Sequence, residues 1–244
     1  MKKVIGFALI AGAAAASAGA AQAQSVSASV TLTSDYVFRG MSLSGEDAAV
    51  QGSFDYSTDL FYAGVWGTSL GSAGTSMEMD VYAGFTPSFG ALSLDLGVIG
   101  YFYPGADDNA AEFDFFELAL GGAYDITDAL KLGAAVNYSP ENYGETGEAI
   151  YAEFNGAYSF TEAFAASAAF GSYTIDDVNG PLAGAPSDTY NTWNIGASYA
   201  LHGFTLDLRY HDADIGASDA LVGAGFLTEA MTDGRVVLSV SRSL

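Results

Sequence analysis

Cysteine is absent from the 244-residue chain. No disulfide framework and no thiolate metal site can exist, so any case for export must come from elsewhere. Basic residues are scarce: seven Lys and Arg stand against 29 Asp and Glu, a formal charge of −22. That balance excludes nucleic acid as an electrostatic partner, because a basic footprint is what neutralises phosphates. Only two histidines occur, His202 and His211. A hydrolase or acyltransferase needs a nucleophile beside a base, and the best candidate, His211 next to Asp212, reads as a solvated rim residue. No phosphate-binding loop, zinc motif or cofactor fingerprint is present, so catalysis, cofactor and metal are not expected. Long apolar runs are missing too. Past residue 23 none approaches the ~20 residues a membrane-spanning helix requires.

What is present begins with Met1-Lys2-Lys3, an apolar run from Val4 to Ala16, and the small-x-small pattern Ala21-Gln22-Ala23. These are the parts of a cleaved secretory signal peptide, residues 1–23, leaving residues 24–244 as the folded protein. That segment keeps five basic residues (Arg39, Lys131, Arg209, Arg235 and Arg242) and all the acids. Over the full chain, 30 glycines, 15 tyrosines and 16 phenylalanines sit with a mean hydropathy of +0.23. A chain that is oily on average but never continuously so is what strands with one lipid-facing and one lumenal side produce.

The alternation is explicit. Val26, Ala28, Val30 and Leu32 interleave with Ser27, Ser29, Thr31 and Thr33, and Met77, Met79, Val81, Ala83 and Phe85 with Glu78, Asp80 and Thr86. Period two predicts twelve strands, near 26–39, 48–57, 60–69, 77–86, 91–103, 113–124, 130–139, 149–159, 163–173, 190–200, 203–211 and 235–244. Ten or fourteen strands are also compatible. The third strand has an ambiguous phase, because Tyr62 and Trp66 compete with Phe61 and Val65 for the oily face.

Short links, such as Thr58-Asp59 and Leu201-His202, alternate with longer ones, the longest being 174–189 and 212–234. All five prolines fall in links, where they interrupt no ladder. The fold class expected is an all-β, transmembrane, antiparallel up-and-down barrel with short periplasmic turns and longer extracellular loops. Aromatic rings should gather at the two membrane interfaces. One girdle near the short turns includes Phe54, Phe61, Phe85, Tyr124, Phe164 and Tyr199; the other, near the long loops, includes Tyr36, Phe38, Phe102, Phe116, Phe170 and Tyr210. The competing architecture is a soluble sandwich or lipocalin-like barrel with the oily set turned inward.

The stretch Thr33-Ser34-Asp35-Tyr36-Val37-Phe38-Arg39-Gly40-Met41-Ser42, followed by Ala49-Val50-Gln51-Gly52-Ser53-Phe54-Asp55-Tyr56 and Phe61-Tyr62-Ala63-Gly64-Val65-Trp66-Gly67, resembles the opening of the TorF-type porin family of proteobacteria. The resemblance covers about the first forty mature positions. It implies an outer-membrane channel, and departs from the family at Leu43 and Ala48.

Strand parity turns Asp55, Glu78, Asp80, Asp95, Glu117, Glu153 and Asp207 toward the lumen, with Arg39, Lys131 and Arg209 as the basic groups there. If water fills the lumen, this excess of acid favours cations. If it does not, the acids pair with Arg39, Arg209 and hydroxyl groups and fill a narrow barrel. Arg39 reads first as a salt bridge, to Asp35 or to an acid of a neighbouring strand, and second as a constriction residue. The acids of the long loops, among them Asp107, Asp108 and Asp177, match no calcium loop, and the apolar piece Ala220 to Leu227 could fold inward. The expected function is passive diffusion of small hydrophilic solutes with cation or zwitterion preference; the alternative is a non-conducting structural or adhesive barrel. The expected location is the Gram-negative cell outer membrane, with its lipids, lipopolysaccharide and the barrel assembly machinery as partners.

Overall fold

A computed structural model describes residues 24–71, 75–106, 112–176, 188–215 and 228–244. The signal segment 1–23, the loop acids Asp107, Asp108 and Asp177, and the apolar piece Ala220 to Leu227 lie outside the described residues.

Twelve strands form the wall: β1 (Gln24–Thr33), β4 (Ala49–Thr58), β5 (Phe61–Ser69), β6 (Met77–Phe85), β8 (Leu92–Phe102), β9 (Phe115–Asp125), β10 (Leu130–Ser139), β11 (Glu148–Ser159), β12 (Phe164–Asp176), β13 (Asp188–Leu201), β14 (Phe204–Ala213) and β15 (Arg235–Ser243). Three two-residue strands complete the set: β2 (Val37–Phe38), β3 (Met41–Ser42) and β7 (Ser88–Phe89). Every wall strand pairs antiparallel with its neighbour in sequence, and β15 pairs with β1 from Ser29↔Ser243 to Thr33↔Ser239, which closes the sheet on itself. Closure leaves no unpaired edge, the condition for placing a sheet in hydrocarbon.

The side chains sort as the alternation predicts. Val26, Val30, Leu32, Phe54, Val65, Leu96, Leu120, Phe154, Ile195, Leu208 and Leu238 all stand exposed on the outside. Polar residues between them bond across the inside. Tyr82 of β6 donates to Asp55 of β4, Tyr62 of β5 to Asp95 of β8, and Arg209 of β14 to Ser167 of β12. Each of these bonds skips a strand, a path that runs only through the concave interior. The soluble alternative, with its oily set inside, is thereby set aside.

Three of the short turns share one device. Thr58, Thr127 and Thr161 each accept, on Oγ1, the backbone N–H groups two and three residues ahead. A Thr-acid dipeptide thus satisfies the turn with its own side chain. In the His202-Gly203 turn both residues take positive φ, 51° and 83°, which suits the twist of a two-residue hairpin.

Two sequence expectations need correction. The first strand ends at Thr33, not at residue 39: after a last pairing of Ser34 with Leu238 the chain leaves the wall. Residues 35–44 fold inside the barrel as a hairpin, with Val37↔Ser42 and Phe38↔Met41 paired across a turn at Arg39 (φ 48°) and Gly40 (φ 86°). Consequently Tyr36 and Phe38, expected in the girdle near the long loops, are buried in the interior at 3% and 8% exposure. The ambiguous strand β5 is also resolved. Val65 faces out, while Tyr62 bonds inward and Trp66 packs against Tyr36 with ring centroids 5.5 Å apart.

Candidate functional site

The interior has two levels. Toward the short turns its residues are small or polar and half-exposed, among them Ser29, Ser53, Asp55, Asp95, Lys131, Ser167, Asp207 and Arg209. Toward the long loops it is dry. There the inner hairpin inserts Tyr36, Phe38 and Met41 among Ile99, Tyr101, Phe115, Tyr151, Tyr173 and Tyr190 of the wall.

The hairpin is fixed at its base and at its tip. At the base the Asp35 carboxylate accepts Ser42 Oγ at 2.7 Å and Ser44 Oγ at 2.6 Å, and pairs with Arg235 of β15 at 2.9 Å. Tyr36 reaches across to donate to Glu78 of β6 at 2.7 Å. At the tip the Arg39 guanidinium meets both carboxylate oxygens of Glu117 of β9, each at 2.7 Å, a forked pair with strong directional demands. The same guanidinium lies 4.7, 4.4 and 4.6 Å from the ring centroids of Phe38, Tyr151 and Tyr173. Glu117 is 1% exposed and is held from behind by Asn137 Nδ2 at 2.9 Å and Tyr101 Oη at 3.2 Å. Gly40 fits because it has no side chain: a Cβ there would stand 2.7 Å from the Ala213 Cβ and 2.8 Å from Thr192 Oγ1.

The ten sequence candidates divide between the two levels. Glu78, Asp80 and Glu117 lie in the dry region with Arg39. Asp80 is 1% exposed, and its Oδ1 has no hydrogen-bond partner among the described residues. Asp55, Asp95, Lys131, Glu153, Asp207 and Arg209 lie around the wetter level. Glu153 accepts from Tyr151 and Asn155; Lys131 pairs with Asp125 at 3.2 Å; Arg209 pairs with Asp207 at 3.1 Å and donates to Asn194 at 2.7 Å.

The partner expected for Arg39 is corrected. It is Glu117, across the interior, and Asp35 serves Arg235 instead. The reason is positional: once the chain turns inward at Asp35, Arg39 projects from a hairpin tip rather than from the wall, and reaches a strand that β1 never touches. Sequence reasoning missed the aromatic partners Tyr101, Tyr151 and Tyr173. Their inward parity was readable, but nothing in the alternation said that a guanidinium would be delivered among them.

Two solved structures share this architecture. The KdgM porin, in complex with disordered oligogalacturonate, superposes with a TM-score of 0.56 at 11% identity over 89% of this chain and 99% of its own. The NanC porin gives 0.54 at 10% identity over 89% and 98%. At that identity the likeness establishes the barrel fold and nothing finer. No curated protein matches the sequence. The TorF-type resemblance of the opening segment therefore narrows to a porin-like barrel. Residues 17–244 match the model of Gcw_chp, described as a bacterial protein of unknown function, and the chain belongs to that family.

Proposed function

We propose that this protein is a channel of the Gram-negative outer membrane, exported through residues 1–23, for small hydrophilic solutes with a preference for cations or zwitterions. Its long-loop end then faces the exterior and its short turns the periplasm. Lipopolysaccharide and the barrel assembly machinery would be its partners in reaching and holding that position. The observation that carries the reading is a closed barrel, oily outside, whose interior among the described residues collects eight carboxylates (Asp35, Asp55, Glu78, Asp80, Asp95, Glu117, Glu153 and Asp207) against Arg39, Lys131, Arg209 and Arg235. Fixed negative charge in a narrow, low-dielectric passage lowers the energy of cations and raises that of anions.

The inner hairpin favours a second reading, a non-conducting structural or adhesive barrel, because it fills the level near the long loops. Planar bilayers separate the two. The channel reading expects discrete current steps from the refolded protein, with a reversal potential in a steep KCl gradient displaced toward the potassium equilibrium potential. Displacement toward chloride would refute the charge argument, and persistent silence would leave the structural barrel.

A further inference from the structure

The place occupied by Arg39 is a receptor for a planar cation, and we infer that it is the recognition site for the channel's solutes, which carry a guanidinium or primary ammonium group and enter by displacing Arg39. This rests on the channel reading and names its substrate class.

The guanidinium is a guest in that site. It comes on a hairpin of two residue pairs, outside the wall's ladder of hydrogen bonds. Its surroundings, apart from Phe38, belong to the wall. Glu117 is oriented by Asn137 and Tyr101 from the flanking strands β10 and β8, and Tyr151 and Tyr173 supply ring faces from β11 and β12. With Arg39 withdrawn, what remains is a forked carboxylate with two aromatic faces beside it. Such a constellation prefers a weakly hydrated, planar or hydrogen-bonding cation over a strongly hydrated inorganic ion.

A separate observation points the same way. The dry level holds four buried carboxylates, Asp35, Glu78, Asp80 and Glu117, of which Glu117 pairs with Arg39 and Asp35 with Arg235. Asp80 pairs in register with Tyr101, whose hydroxyl donates to Glu117, so the unpartnered Asp80 Oδ1 lies two strands from the occupied fork, with β8 between. An acceptor oxygen without a partner is therefore open to a hydrogen-bonding cation that enters the region, or to Arg39 when it leaves Glu117.

The test uses the full mature chain in planar bilayers, with millimolar guanidinium chloride as probe and urea, its neutral near-isostere, as control. Guanidinium should lengthen the open time of the wild-type channel severalfold while urea and added NaCl do not. In Arg39→Ala, already open, guanidinium should instead reduce the potassium current by occupying Glu117, and Arg39→Ala/Glu117→Gln should lose that block. Equal responses to guanidinium and urea in the wild type overturn the inference without need of any variant. Potassium currents indifferent to guanidinium in both wild type and Arg39→Ala overturn it while the channel reading stands. No current from any variant sinks the channel reading, and the solute site with it.

Discussion

Arg39→Ala is expected to keep the barrel and lose the seal. The substitution leaves Glu117 buried at 1% exposure without its cation, and breaking one side of a buried ion pair costs about 3–5 kcal/mol. That cost falls on the docked hairpin alone, because the twelve wall ladders do not include Arg39. On the channel reading, releasing the tip and letting water reach Glu117 relieves it, which would shift the ratio of docked to released hairpin by about two to four orders of magnitude. The base stays anchored through Asp35 to Ser42, Ser44 and Arg235. Adding Glu117→Gln removes the stranded charge, so the double variant should recover part of the closed time. Single-channel recordings of the wild type and the two variants measure this. An Arg39→Ala channel that opens no more often than wild type contradicts the role given to the pair.

Leu120→Arg should be the most damaging change on the outer face. Leu120 lies midway along β9, in register with Leu96 and Val136 of the flanking strands, and is 56% exposed. On a soluble protein an exposed leucine replaced by arginine is close to neutral. On the membrane reading the surroundings are hydrocarbon, and arginine near the bilayer midplane costs about 2–4 kcal/mol. The lumenal counterpart Ser29→Lys, on β1 opposite Ser53 and near Asp55, should stay within about 0.5 kcal/mol of wild type, as surface changes usually do. Denaturant unfolding from liposomes gives both numbers. Similar stabilities for the two variants would argue against a membrane on the Leu120 side.

The wall was legible in the sequence because period two and turn chemistry are local. Val26 to Thr33 announces a two-solvent strand from eight residues, and Thr58, Thr127 and Thr161 each mark a turn from four. The inner hairpin was not legible, for an equally physical reason. Tyr36, Val37 and Phe38 continue the same alternation as the wall, and periodicity reports that a segment is extended, not which sheet it joins. The signal was positional: Arg39-Gly40 supplies two adjacent residues at positive φ, and Asp35 precedes Ser42 and Ser44 at a spacing that lets one carboxylate close the loop. Parity has a second limit, since it assigns a face and not a depth. Asp55 and Asp80 have the same inward parity, yet Asp80 is 1% exposed and Asp55 half-exposed, because the hairpin lies over one level and not the other.

The most direct test of the account is whether adjacent residues on one strand meet different solvents. The chain has no cysteine, so a single introduced thiol reports its own site without background. Phe54, 57% exposed, and Asp55, bonded inward to Tyr82, are neighbours on β4. In protein reconstituted into liposomes, Asp55→Cys should react with a small water-soluble maleimide and Phe54→Cys should be protected until detergent or denaturant is added. Rapid labelling of Phe54→Cys with protection of Asp55→Cys would contradict the assignment of faces, and with it the membrane, the lumen and the channel.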